Sequence, residues 1–456
     1  MTSDKRQATS DKQQATSDKR QDGLFKRLLR TDTGYDLVYK ILFVLVFGVF
    51  IFVNISSNFT NILYKPFILM FIVSVITVFF LFKVSETVSN DKIAIFLVCT
   101  ISLFVLVGWN LIYKPLPVSD YEVIWNGAHQ IINGNFYERA SNKSDYFYFF
   151  NFQIPYTYYV SLWLRIYDSL ITIKIVEIVT LSLTNLVFYK ILGLFLGIKE
   201  SLFGALLFAT FPYIFIGSGI INNHHIGLLL GALAVYVLLR EGNYLKYILS
   251  ALLLVVGNLL RPSMFMMFIA VAFVLLIQGL LEKKKLLGLL VFLGVFLVAN
   301  ELINFAFIWL SLAPVGIKSS DLYFKLLIGL TGSGVTKTPT TDAEHTYLYY
   351  DLLYYNFDYA KYKEVSREYL MNKIMKGQLD YNYILTKIKT FVSGIDNQYL
   401  YGDLQFNNTN KPVMECLNFG GWFIYVFTLI AALFYTLRQR IIVKNHLLFN
   451  AATFFK

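Results

Sequence analysis

The chain of 456 residues has little cysteine and little charge. Cys99 and Cys416 are its only cysteines, and Cys99 lies in an apolar stretch, so no disulfide framework is expected and the redox compartment stays open. Charged residues make up 15% of the chain and hydrophobic residues 56%. A soluble protein of this size and composition would expose too much apolar surface. The balance therefore predicts an integral membrane protein with many spans.

Three motifs that would indicate other functions are missing. No glycine-rich loop of the P-loop or Rossmann type occurs, which disfavours a soluble nucleotide sugar or ATP as donor. No basic motif is interleaved with aromatic residues, and basic cytoplasmic loops account for the net charge of +11, so we expect no nucleic-acid partner. The polar segment before the first apolar run, near Leu37, lacks the order of a cleavable signal peptide, so we expect the first span to act as an anchor.

Long apolar runs divide the rest of the chain. Residues 2–22 are three copies of a heptad without Leu, Ile, Val or Phe, and such a repeat cannot form an apolar seam. We therefore expect residues 1–36 to be a disordered, basic cytoplasmic tail. Ten later runs are long enough to cross a bilayer and an eleventh starts at His446, which predicts an all-α bundle of ten or eleven spans. The ten runs cover residues 37–53, 66–83, 93–112, 171–192, 201–219, 222–239, 246–260, 263–281, 286–310 and 415–437.

Lysine and arginine are concentrated in every second connection between these runs. If the N-terminus is cytoplasmic, the basic connections are cytoplasmic too, as the positive-inside rule requires. This topology requires that residues 155–170, rich in Tyr and Trp, lie in the membrane plane instead of crossing it. We predict a multi-pass protein of the cell membrane with five parts after the tail. They are three spans at 37–112, an extracytoplasmic catalytic loop at 113–170, a central bundle of spans at 171–313, a large extracytoplasmic loop at 314–412 and the C-terminal span or spans at 413–456.

Asp120 is the candidate catalytic residue. It follows a predicted span where the chain leaves the bilayer, and the aromatic-rich run Tyr146–Pro155 comes after it. A carboxylate at a low-dielectric boundary suits the role of a general base, which takes a proton from an attacking hydroxyl. The structural alternative is a helix N-cap formed by Ser119 and Asp120. Glu122 and Asp145 are weaker candidates for binding substrate, against a helix-dipole role for Glu122 and a solvated loop charge for Asp145.

Arg261, Asn222, Asn223 and His224 are candidate ligands for a phosphate or another polar group of a lipid-borne substrate. On the predicted topology Arg261 lies at the outer end of a span, where a guanidinium fork suits a phosphate and stabilises an anionic leaving group. The alternative is an arginine that snorkels at a helix end. The asparagines and His224 form a polar cluster between two spans, which either binds sugar or phosphate or is simply a polar turn.

Two further pairs of side chains give weaker expectations. His224 and His225 are adjacent and would point about 100° apart on a helix, so they are poor ligands for one metal ion. Lys174 and Glu177 are spaced i,i+3 within a predicted span, and we expect them to neutralise each other.

The chain resembles glycosyltransferases of the GT-C fold. The resemblance is to the protein O-mannosyltransferase and aminoarabinose-transferase group and, more closely, to its bacterial relatives that act on cell-surface polysaccharides. Two segments are similar to the first extracytoplasmic loop of that family, two stand where it has its later motifs, and two are similar to the long outer loop of the bacterial branch. These segments are, in that order, Asp120–Gly134, Tyr146–Pro155, Asn222–Tyr236, Gly257–Ser263, Leu326–Gly334 and Tyr399–Gly402.

The resemblance implies an integral membrane fold of GT-C type and a sugar donor carried by polyprenyl phosphate. It implies that Asp120 acts on the acceptor, which is a glycan, a lipid-linked glycan or a protein. Family members often have an acidic residue near the position of Asn223 and His224; this chain has none there, so hydrogen bonding by those two side chains would have to replace it. The predicted function is inverting sugar transfer at the outer face of the bilayer.

Two other functions fit a chain with many spans. A polysaccharide polymerase would be expected to carry arginines in two outer loops, whereas the short outer loops here are poor in arginine. A transporter or flippase of lipid-linked glycans would be expected to have repeats and charges in the middle of its spans, and neither is evident. The sugar, the acceptor, the linkage and the cofactor, which is either none or a divalent metal, stay open.

Overall fold

A computed structural model of the protein describes residues 65–113, 116–117, 120–143, 145–240, 242–318, 358–377 and 420–432, together with short helical pieces at 44–45, 48–52, 381 and 384–385. All regular secondary structure in these residues is helical, which confirms the all-α prediction for this part of the chain. The predicted tail at 1–36, the eleventh run from His446, and most of the segments 37–53, 314–412 and 413–456 lie outside the described residues.

The helices are numbered in chain order. They are α1 Lys65–Glu86, α2 Asp91–Ile112, α3 Asp120–Ile132, α4 Phe136–Ser141, α5 Tyr146–Phe149, α6 Ile154–Leu164, α7 Leu170–Leu192, α8 Ile198–Ala209, α9 Pro212–Gly217, α10 Asn223–Leu239, α11 Leu245–Leu260, α12 Met264–Leu281, α13 Leu286–Trp309, α14 Tyr359–Met375 and α15 Gly420–Ala432. Two 3-10 turns, Asn151–Gln153 and Lys283–Lys285, lie between them.

Four helices, α1, α2, α7 and α13, are long and apolar enough to cross a membrane. They have 22 to 24 residues each, where a span needs about 20. Large apolar side chains cover their outward faces, such as Phe80 at 63%, Phe104 at 79% and Ile112 at 83% exposure. Apolar surface on this scale is stable only against lipid or another protein. These four helices support the prediction of a membrane protein.

The other predicted runs form shorter helices. Four more helices are apolar but shorter than these spans, namely α10, α11, α12 and α15. Among the described residues, therefore, fewer than the predicted ten or eleven helices are long enough to count as spans. The predicted run 201–219 is divided between two helices. α8 ends at Ala209, and α9 starts at Pro212, whose ring nitrogen has no proton to donate back into a continuous helix.

Helices α7 and α10 to α13 form the core of the bundle. α10 packs against α7 and α11, and α13 packs against α11 and α12. Their shared apolar cluster contains Leu254, Val271, Leu275, Phe292 and Phe296, all buried. Because short connections join α10 to α13, consecutive helices run in opposite directions. One end of the bundle thus carries the start of α10 and the end of α11, and the opposite end carries the basic turn between α12 and α13.

Helices α3 to α6 lie over the first of these two ends. α3 packs against α6, which in turn contacts α7 and α11. Ile124 and Ala128 of α3, Tyr156 and Val160 of α6, and Ile173 of α7 meet in one buried cluster. α6 has only 11 residues, about 16 Å of helix, and is too short to cross a bilayer. The loop between α2 and α7 is therefore a folded layer anchored on the bundle.

Candidate functional site

Asp120 is the first residue of α3, and its side chain is exposed. The hydroxyl of Tyr146, at the start of α5, donates a hydrogen bond to its carboxylate. Burial, and after it the charge of Asp120, raise the pKa of Tyr146 well above the ordinary value for tyrosine. The phenol therefore stays protonated at neutral pH and remains a donor. It holds one side of the exposed carboxylate in place.

Gln153 connects Tyr146 to the helical bundle. It is buried in the 3-10 turn before α6, with 7% of its surface exposed, and it is hydrogen-bonded to the Tyr146 hydroxyl. Its Oε1 accepts a hydrogen bond from Nδ2 of Asn223 at 3.2 Å. With the amide oxygen turned to Asn223, the amide protons of Gln153 serve the Tyr146 oxygen. The loop layer and the first turn of α10 are therefore joined through one buried amide.

Asn223 is the first residue of α10 and only 5% exposed. Besides Gln153, its Nδ2 reaches the carbonyl oxygen of Leu260 at 3.1 Å, one of the last carbonyls of α11. The side-chain oxygen of Asn223 accepts a hydrogen bond from Nη1 of Arg261, also at 3.1 Å. Both ends of this amide are thus used, so a single asparagine ties the start of α10 to the end of α11.

Arg261 caps the C-terminal end of α11. Its Nε donates to Oγ of Ser263 at 3.2 Å, and the rings of Tyr121 and Tyr146 are near enough to interact with its charge. Its stem approaches α10 at Gly227, where an added Cβ would lie 3.0 Å from Cβ of Arg261. These bonds use two of its five N–H groups, and no further hydrogen-bond partner of the guanidinium lies within the part of the chain that the structure describes. Donors therefore remain for an anionic ligand.

These contacts form one chain of hydrogen bonds, which we call the site chain. It runs from Arg261 through Asn223, Gln153 and Tyr146 to Asp120. Each of the five residues comes from a different segment of the sequence. A cation and an anion thus end the same hydrogen-bonded path, and three predicted residues, Asp120, Asn223 and Arg261, are brought together.

Asn222 and His224 lie beside the site chain without joining it. Asn222 is the N-cap of α10, and its side-chain oxygen accepts from the backbone N–H of His224 at 2.9 Å. His224 is exposed in the first turn of α10, close enough to Arg261 for their charges to interact. Asn222 therefore has a capping role, whereas the ring of His224 is open to a ligand beside the guanidinium.

The two other predicted carboxylates are placed apart from this arrangement. Glu122 is exposed in the first turn of α3, where an acid favours the helix dipole. Asp145 caps α5 by accepting from the backbone N–H of Phe147 at 3.0 Å, and it pairs with Nε of Arg139 at 2.8 Å. Both oxygens of Asp145 are engaged in holding the loop together.

Glu177 has partners that the sequence did not indicate. We expected it to be neutralised by Lys174, but its carboxylate is bound to Nδ1 of His225 at 2.5 Å. The hydroxyl of Tyr156 and the backbone N–H of Asn222 approach the other oxygen at 3.3 and 3.4 Å. Glu177 faces the protein interior, where α10 and α6 supply the partners that the structure shows.

The described residues show no metal centre and one small apolar cleft. In the described part of the chain, no three His, Cys, Asp or Glu side chains converge as ligands for a metal ion. A small apolar cleft lies where the chain leaving α2, the start of α7 and the segment before α10 meet. Leu116, Pro117, Ile173 and Ile220 line it, with Lys174 at its edge. Ile220 of this cleft lies two positions before Asn222 in the sequence, so the cleft is at the same end of the bundle as the site chain.

No family model, no curated protein and no solved structure matches this chain.

Proposed function

We propose that the protein is a membrane glycosyltransferase of GT-C architecture that uses a polyprenyl-phosphate sugar as donor. The observation that carries the proposal is the site chain. It links the exposed carboxylate of Asp120 to the partly buried guanidinium of Arg261, which has N–H groups left for a ligand. Transfer from a lipid phosphate needs these two groups, a base for the acceptor and a cation for the leaving phosphate.

In the proposed reaction, Asp120 removes the proton from an acceptor hydroxyl. The hydroxyl oxygen attacks the anomeric carbon of the donor and forms the new glycosidic bond. The bond between that carbon and the phosphate oxygen breaks on the opposite side, which inverts the configuration. Arg261 stabilises the charge of the departing polyprenyl phosphate, and Asp120, now protonated, releases its proton to solvent because its side chain is exposed.

The sidedness of the bundle supports an active site on the outer membrane face. The end opposite the site carries Arg240, Lys190 and the run Lys283–Lys285, and a basic end is the cytoplasmic one by the positive-inside rule. We propose ten or eleven spans in total, counting the shorter apolar helices, with the N-terminus in the cytoplasm. Near the site, the small cleft lined by Pro117 and Ile220 is apolar.

A transfer assay tests this function. Membranes that contain the protein, and matched membranes that lack it, are incubated with radiolabelled polyprenyl-phosphate sugars and a surface-glycan fraction. We expect the label to move into glycan only when the protein is present. Movement of labelled lipid across the bilayer without incorporation would favour a flippase, and no incorporation from any donor would refute the proposed reaction. Glycan profiling of a deletion strain identifies the acceptor.

A further inference from the structure

Glu177 and His225 are a buried acid–base pair that the proposed reaction does not use. Their relative exposures are 4% and 6%, and Glu177 lies about two turns into α7, one of the membrane-spanning helices. Burying ionisable groups inside a membrane protein costs free energy, and replacing such a pair with apolar residues often does not reduce stability. The pair therefore calls for an explanation beyond simple packing.

The surroundings of the pair hold it in one geometry. Tyr156, 1% exposed, points its hydroxyl at the same carboxylate that binds His225. On the other side of the imidazole, a Cβ added at Gly217 would lie 3.0 Å from Nε2 of His225. A glycine at position 217 thus makes room for the ring, and the ring cannot move toward α9 without a clash. Three helices and one glycine fix the position of Glu177.

The fixed carboxylate acts on the turn that begins α10. Its Oε1 accepts from the backbone N–H of Asn222, and its Oε2 binds His225, so both contacts of Glu177 with α10 bracket Asn223. Asn223 is the residue that holds Arg261 at 3.1 Å. A change at Glu177 would therefore shift Asn223, and through it the guanidinium, without any contact between Glu177 and a ligand.

We infer that the Glu177–His225 pair positions Arg261 for the donor phosphate by fixing the Asn222–Asn223 turn. The inference rests on the proposed function, because it assigns the pair to the donor side of that site. It makes Glu177 and His225 positioning residues and not catalytic ones. Their effect on ligand affinity must consequently depend on Arg261. If the pair only stabilised the fold, its effect would not depend on Arg261.

A double-mutant cycle measures whether the effect passes through Arg261. The readout is the Kd for a synthetic polyprenyl phosphate, measured by native mass spectrometry on the full-length protein in detergent. Glu177→Leu removes every acceptor of the carboxylate, and we expect it to raise Kd about tenfold in the natural background. In an Arg261→Ala background the same change should have less than about a twofold effect, because the group it positions is gone.

Two variants and one control separate positioning from stability. Glu177→Gln keeps an acceptor for Tyr156 and Asn222, so it should restore Kd to within about twofold of the natural protein. Gly217→Ala pushes on His225 without removing a charge and should raise Kd about two- to fourfold, so the test holds even if Glu177→Leu does not fold. Asn185 lies on α7 like Glu177, and Asn185→Ala removes its buried bond to Ser102 of α2; this change should lower thermal stability without changing Kd.

The outcomes distinguish the inference from the proposed function. If binding of polyprenyl phosphate does not depend on Arg261, the proposed function is wrong. If binding depends on Arg261 but Glu177→Leu and Gly217→Ala leave Kd unchanged, or raise it equally in both backgrounds, the positioning role is wrong. The inference requires three results together. Glu177→Leu raises Kd, Glu177→Gln brings Kd back, and Glu177→Leu has no effect on Kd when Arg261 is absent.

Discussion

The two ends of the bundle use the same residue types in different ways. At the end away from the site, Asp91 begins α2 and is bonded to the hydroxyl of Tyr189 at 2.7 Å and to Lys190 at 3.0 Å. At the site end, Asp120 begins α3 and is also bonded to a tyrosine. Asp91 is paired directly with Lys190, whereas Arg261, the cation of the site chain, is connected to Asp120 only through four successive hydrogen bonds. In our proposal, this separation lets the carboxylate act on the acceptor while the cation binds the donor phosphate.

Two arginines repeat this contrast. Arg240 caps the C-terminus of α10 and Arg261 caps the C-terminus of α11. Because these neighbouring helices run in opposite directions, the two arginines lie at opposite ends of the bundle. Arg240 is exposed and lies 5.8 Å from the ring of Tyr236, where its charge has an ordinary role in topology. Arg261 is partly buried and held by Asn223. The same residue type therefore serves the membrane at one end and, in our proposal, a ligand at the other.

The largest expected effect comes from Asp120→Asn. Removing the base should lower the transfer rate by about a hundredfold to ten-thousandfold, with expression and folding retained. Asp91→Asn is the matched control, because it makes the same chemical change at the other end of the bundle, and it should leave the rate within about twofold. Initial rates of labelled-sugar transfer measure both variants. Full activity of Asp120→Asn would refute the base assignment.

Substitution of Arg261 should have the next largest effect. Arg261→Ala should raise the KM for the donor about tenfold to a hundredfold, the worth of a lost hydrogen bond to a charged group. Arg261→Lys keeps the charge but not the fork and should recover only part of this loss. Arg240→Ala, the control, should leave KM unchanged. Equal KM values for the Arg261 and Arg240 variants would contradict a phosphate-binding role.

Tyr146→Phe tests the bond that orients Asp120. It removes a donor to the ionised carboxylate, which should reduce kcat about five- to tenfold. Because the ionised form loses stabilisation, the acid limb of the pH–rate profile should move to higher pH. Tyr189→Phe removes the corresponding bond to Asp91 and should change neither quantity. A Tyr146→Phe enzyme with an unshifted acid limb would show that this hydroxyl does not act on the base.

Gly227→Ala should give the smallest effect. The new Cβ would meet the stem of Arg261 at 3.0 Å and displace it by a few tenths of an ångström, so the donor KM should rise about two- to fivefold. Gly294→Ala is the control, since a Cβ at that position meets nothing within 4 Å. An unchanged KM in Gly227→Ala would show that the site tolerates movement of the arginine.

Much of the fold could be predicted from the sequence. Apolar runs report contact with lipid or a core, so the all-α class and the positions of α1, α2, α7 and α13 follow from composition alone. The break at Pro212 could have been found, since proline disfavours a continuous helix, but the apolar run across it hid the boundary. Length alone cannot decide whether α10 and α11 cross the bilayer.

The site could be predicted only in part. Asp120, Asn223 and Arg261 were singled out because they stand at the ends of apolar runs, and the structure joins them in one chain of hydrogen bonds. Tyr146 and Gln153 lie in an aromatic run that shows no period, and their partners are distant in sequence, so no local pattern could have identified them. The bond of Glu177 to His225 likewise joins residues 48 positions apart.

The most direct test of this account is to determine which side of the membrane each end faces. With Cys99 and Cys416 replaced by alanine, single cysteines at Asp120 and at Arg240 are treated in intact cells with a membrane-impermeant maleimide; both side chains are exposed. We predict that position 120 is labelled in intact cells and position 240 only after the membrane is permeabilised. Labelling of position 240 but not 120 in intact cells would put the proposed site in the cytoplasm and contradict the account.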